Sequence, residues 1–153
     1  MQGLLVYAGQ LAIRKQEARY VRLFPRPTTD TMPPSELLEG FEAAGRLLAM
    51  VVRGSPPEVR AWSPRGCADP EGYAGAGCVE ALVHGWDVAT GLRLSYDPPR
   101  DVCARVLARM FPDLGAGTDD PWAAILWATG RADLPGQPTQ TEWRWDATPQ
   151  PLD

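Results

Sequence analysis

Apolar residues recur at helical spacing along most of the chain, and breaks rich in proline and glycine cut that pattern into five segments. The first, residues 1–24, places Leu4, Tyr7, Ala8, Leu11, Ala18 and Val21 among Arg14, Lys15, Glu17 and Arg19, which predicts an amphipathic helix. "FPRPTTDTMPP" ends it, because proline removes a backbone donor and fixes φ. A second helix over 35–53 repeats Leu37, Phe41, Ala44, Leu48 and Val51 on one face, with Ser35 placed to cap it. That face must pack on something.

Residues 53–72 form a proline- and glycine-rich connection in which 58–62 can be briefly extended. Asp69 followed by Pro70 is a helix start, since the carboxylate caps orphan amides and the proline needs no donor in the first turn. The third helix therefore covers 70–90 and stops at Gly91. Asp97 with Pro98 repeats the signal for a fourth helix, 98–111, lined by Val102, Val106 and Met110, and Asp120 with Pro121 opens a fifth, 121–129, closed by Gly130. Residues 131–153 read as an extended tail in which Thr141, Trp143 and Trp145 alternate like a strand or a strap laid across helices. The fold class is mainly α, without internal repeats.

Composition narrows the function classes. A chain of 153 residues and 16.7 kDa is read as a single domain, 1–153, and a hydrophobic fraction of 44% with six tryptophans is that of a folded one. The net charge of -4 and pI of 5.0, with scattered arginines, exclude a nucleic-acid surface. No apolar run reaches membrane-spanning length, and the first twenty residues lack the pattern of a secretory leader, so no membrane partner is expected. Cys67, Cys78 and Cys103 are odd in number and without metal-finger spacing, which points to reduced thiols in a cytoplasm. One lysine, Lys15, amid abundant Arg, Ala, Gly and Pro is the residue usage of a GC-rich genome.

The chemistry concentrates in "CVEALVHGWDVATG", which holds the chain's single histidine. Glu80, His84 and Asp87 follow one another at four and three residues, so at about 100° per residue they share one helix face. An imidazole and a carboxylate one turn apart can chelate a divalent ion, and Gly77 on that face would leave room for a ligand. The plainer alternative is a core histidine hydrogen-bonded to Glu80. Cys78 lies on another face and is a poor co-ligand, whereas Cys67 in the preceding loop remains a candidate. "EGYAGAGC" lacks the lysine and hydroxyl of a phosphate loop and reads as close helix packing. "TEWRW" can stack an aromatic ligand or simply cover a core.

The segment "EALVHGWDVATGL" resembles the DinB superfamily and, within it, the mycothiol-dependent maleylpyruvate isomerase-like proteins of actinobacteria; "LLVYAGQLA" and "DDPWAAILWATGRADLPG" extend the resemblance over most of the chain. It implies a DinB-like helical bundle carrying the Trp-rich tail. It also implies a divalent metal, zinc or nickel, held by Glu80, His84 and a histidine from another helix, and a thiol such as mycothiol that attacks a small electrophilic substrate in an isomerase or transferase reaction. On this chain the third ligand's place falls at Val6, which has no donor atom, and the family carries a further helix ahead of it. Asp87, Cys67, water or a second copy of the chain would then complete the site, and an apolar stripe on a bundle lacking one helix would be covered by the C-terminal helices, by the tryptophan tail or by a partner in a homodimer. Three readings stand: the metal- and thiol-dependent enzyme with His84 as its catalytic residue, a metal-free protein that binds a small molecule or uses His84 as a general base, and a structural protein with His84 and Glu80 in a buried hydrogen bond.

Overall fold

The computed structural model describes residues 2–21, 32–64, 66–114 and 118–150. Within them lie α1 (Gln2–Ala12), α2 (Pro34–Gly54), β1 (Ala61–Ser63), β2 (Gly66–Ala68), α3 (Pro70–Gly91), α4 (Arg100–Met110) and α5 (Pro121–Ala128). The protein is mainly helical, as its periodicity predicts. It forms two compact units, Met1–Gly77 with Ala147–Asp153 and Cys78–Asp146. α3 contributes residues to both.

In the first unit α1 turns Leu4, Tyr7, Ala8 and Leu11 inward and packs on α2, whose Ala44 and Leu48 are buried on the predicted face. Gly77 sits where α3 meets these side chains. A Cβ there would stand 2.5 Å from Leu48 Cδ2 and 3.4 Å from Leu4 Cδ2, so the space the glycine leaves is filled by leucine and is not room for a ligand. β1 and β2 pair antiparallel with Trp62 opposite Cys67. The Tyr73 hydroxyl donates to the Trp62 carbonyl at 2.5 Å, its ring lies 6.0 Å from that of Tyr7, and burial pushes its phenol well above the usual tyrosine range.

Three helix boundaries are set otherwise than the sequence signals suggest, while the others shift by a residue at most. α1 ends at Ala12 because Arg14 turns left-handed at φ 51° and the fully buried Gln10 amide pins the chain beyond it, donating to the Lys15 carbonyl at 3.2 Å and accepting from Val21 N–H at 3.0 Å. Trp62 N–H also donates to that carbonyl, at 2.7 Å, so a sheet residue takes the acceptor a longer helix would have used. Residues 22–24 lie outside those described. α2 starts at Pro34 and α4 at Arg100, neither with a side-chain cap, so Ser35 and Asp97 do not cap them. The cause is the paired prolines: a residue before proline is held extended, so Pro33 and Pro98 cannot be helical.

The second unit contains the later part of α3, α4, α5 and the chain to residue 146. Cys103, Met110 and Ile125 are fully buried within it. Asp120 caps α5 as expected, accepting from Trp122 N–H and Ala123 N–H, both at 3.1 Å. Asp120→Ala orphans both donors and is expected to cost about 1 kcal/mol, read as a lower urea midpoint at unchanged slope.

The far end of α5 is a Schellman turn, with Gly130 N–H donating to the Trp127 carbonyl at 2.9 Å and Arg131 N–H to the Leu126 carbonyl at 2.8 Å. Gly130 has φ 68°, and a Cβ there would meet the Gln140 carbonyl at 3.1 Å and Trp143 Cδ1 at 3.3 Å. The tail forms no strand among the described residues. Its alternating tryptophans belong to a strap: Trp127 Nε1–H donates to the Pro138 carbonyl at 2.8 Å, and Asp146 N–H to the Met110 carbonyl at 2.9 Å. A strand needs a paired neighbour, and here the Pro138 carbonyl and the Asp146 N–H bond to helix residues instead.

Candidate functional site

The sequence placed Glu80, His84 and Asp87 on one face of a helix, and α3 brings all three together. His84 Nε2 lies 3.2 Å from Glu80 Oε2, and His84 Nδ1 lies 3.0 Å from Asp87 Oδ2. The ring is therefore flanked on both nitrogens by carboxylates. Its side chain is 60% exposed, against 24% for Glu80 and 38% for Asp87. This removes the core-histidine alternative, since a ring so exposed is not filling an interior.

A fourth group, missed by the sequence analysis, completes the cluster. Arg131 meets Asp87 through its fork, Nε to Oδ1 at 2.8 Å and a terminal nitrogen to Oδ2 at 2.7 Å, while its other terminal nitrogen donates to the Thr129 carbonyl at 3.1 Å. Its side chain is only 15% exposed, and its guanidinium lies 5.9 Å from the centre of the Trp143 ring. Such bidentate pairs are geometrically specific. The available signal was the arginine that directly follows a glycine helix stop in "ATGRAD".

Arg131 holds the Asp87 carboxyl below the usual aspartate range, partial burial opposes this, and the hydrogen bond to His84 adds to it. Asp87 is thus an acceptor, and the His84 tautomer that carries its proton on Nδ1 can donate to it. A carboxyl with a lowered folded-state pKa stabilises the fold above its unfolded pKa, and that stability is lost as pH falls through the folded value. Acid titration of the wild type from about pH 4 downward is accordingly expected to lose stability that Arg131→Gln lacks at neutral pH already. Parallel pH curves for the two proteins would count against the pair.

Two of the cysteines are poorly suited to act as nucleophiles. Burial pushes the Cys78 and Cys103 thiols up, which disfavours the thiolate that a nucleophile needs. Cys67 lies in β2 of the first unit, whereas Glu80, His84 and Asp87 belong to the second. Among the described residues no three His, Cys, Asp or Glu side chains form a group that could hold a metal. Val6 is half-buried on α1. Among the described residues, no helix is long and apolar enough to cross a membrane.

Fold and site together describe a helical protein whose principal helix presents a glutamate, a histidine and an aspartate. Residues 24–89 match the family model of the mycothiol maleylpyruvate isomerase N-terminal domain, and that segment includes all three. The match agrees with the DinB-like, mycothiol isomerase-like family that the motif resembles. A comparison with curated proteins and one with solved structures gave no match.

Proposed function

We propose that the protein uses His84 and Glu80 to hold a divalent metal and takes part in thiol-dependent isomerase or transferase chemistry on a small electrophilic molecule. The observation that carries this reading is the histidine ring with its Nδ1 face bound to an arginine-held carboxylate and its Nε2 face turned to a glutamate. Metal-binding histidines characteristically give their second N–H to a carboxylate, which fixes the ring and leaves one lone pair for the ion. Nε2 and Glu80 Oε2, 3.2 Å apart, fit a shared ion, because zinc bonds to nitrogen and oxygen run about 2.0–2.2 Å.

A bound zinc or nickel would lower the pKa of a thiol such as mycothiol and supply a thiolate near neutral pH. The chain's own contribution is orientation. Asp87 keeps the proton on Nδ1, and both of its oxygens are engaged by Arg131, so it serves as the support of His84 and not as a ligand. Protein donors number two among the described residues, and water, the thiol or a second copy of the chain would complete the set.

A second reading is favoured by that two-donor set: a metal-free relative in which His84, exposed and held by two carboxylates, acts as a general base or helps bind a small molecule. Elemental analysis of untagged protein separates the two. About one zinc or nickel per chain, removed by a chelator and restored by soaking, is the expected result. Wild-type protein that neither contains nor takes up metal sinks the first reading and leaves the second.

A further inference from the structure

We infer that Arg131 is the positioning residue of this site: the Schellman turn at the end of α5 delivers its guanidinium to Asp87, and through Asp87 it fixes the orientation and tautomer of the His84 ring. The inference rests on the proposed role of His84 but concerns a residue outside both the α3 motif and the matched segment, which stops at residue 89.

Asp87 has one carboxylate and two clients. Its Oδ1 receives Arg131 Nε at 2.8 Å, and its Oδ2 receives both an Arg131 terminal nitrogen at 2.7 Å and His84 Nδ1 at 3.0 Å. The fork fixes the plane of the carboxylate, which an isolated aspartate on a half-exposed helix face would be free to turn. The direction of Oδ2 then sets the direction of the imidazole.

Arg131 is itself held in three ways, by its backbone N–H on the Leu126 carbonyl, by its side chain on the Thr129 carbonyl, and by the nearby face of Trp143. Gly130 makes this possible, since its left-handed backbone at φ 68° turns the chain immediately before the arginine. Loss of the fork would leave His84 with a carboxylate in several rotamers. The donor atoms would persist and their alignment would not.

The test uses the full chain and two readouts. Zinc affinity is measured by competition with a chromophoric chelator, and the tautomer of His84 by long-range proton–nitrogen NMR on metal-free protein at alkaline pH, where a single histidine gives a single ring's signals. Wild type is expected to show the Nδ1–H tautomer. Arg131→Gln is expected to weaken zinc binding about tenfold and to convert the ring to a mixture of tautomers, with Arg131→Lys, which keeps the charge without the fork, falling between. In an Asp87→Asn background Arg131→Gln should add no further loss, because its effect passes through that carboxylate.

Wild-type tautomer and wild-type affinity in Arg131→Gln would overturn the inference, and so would an undiminished tenfold loss on top of Asp87→Asn. If Arg131→Gln fails to fold, the same comparison is made with Arg131→Lys. Wild-type protein that binds no zinc, with the ring still changing its tautomer in Arg131→Gln, would defeat the proposed metal function and uphold the positioning role.

Discussion

His84→Ala is expected to abolish stoichiometric metal uptake while leaving the unfolding midpoint of the metal-free protein nearly unchanged. The first half follows from the proposed donor set, in which His84 would supply one of two protein atoms, 3.2 Å apart. Removing a supporting residue behind a ligand costs about 10–100-fold in metal affinity, so removing the ligand itself should cost more than about 100-fold. The second half follows from exposure: a side chain 60% accessible gives up little apolar burial, and Asp87 keeps its fork from Arg131 when the ring is gone. Surface changes of this kind stay within about 0.5 kcal/mol. Elemental analysis beside calorimetry checks both. A fall of several degrees in the midpoint would return the histidine to a structural role.

The largest loss of stability is expected from Ile125→Ala. Ile125 is fully buried in α5, an eight-residue helix too short to hold itself in water, so its persistence depends on what its buried face touches. Truncating a buried isoleucine removes transfer free energy and leaves a cavity, together about 2–5 kcal/mol. In a chain of this length that corresponds to a midpoint lower by roughly 5–15 °C. Ile125→Val, which deletes one methyl, should cost about 1 kcal/mol. Equal effects from the two substitutions would mean the site relaxes freely, against the packing described. Because α5 ends in the turn that presents Arg131, the alanine variant should also bind zinc more weakly than wild type.

Local rules carried the sequence reading where the controlling interaction lay within a few residues. The cap at Asp120 accepts from amides two and three residues on, and the carboxylate, imidazole and carboxylate of α3 share a face because helical geometry alone puts them there. The same rules failed where a distant partner decided. Gly77 read as room for a ligand, yet Leu48 and Leu4, from two other helices, occupy the space. α1 read as twice its length, yet Gln10 and Trp62 take the Lys15 carbonyl away from it.

Sequence by itself determined the mainly helical fold, the glutamate, histidine and aspartate on one face of α3, and the resemblance to the mycothiol isomerase-like family. These depend on helical periodicity and on neighbours in sequence, which the chain states directly. Only the tertiary structure decided that His84 is exposed with carboxylates at both nitrogens, and that Asp87 is held by an arginine forty-four residues away. A contact across that separation exists only once α5 and its turn have packed, because no local preference aims a side chain at a residue so far along the chain.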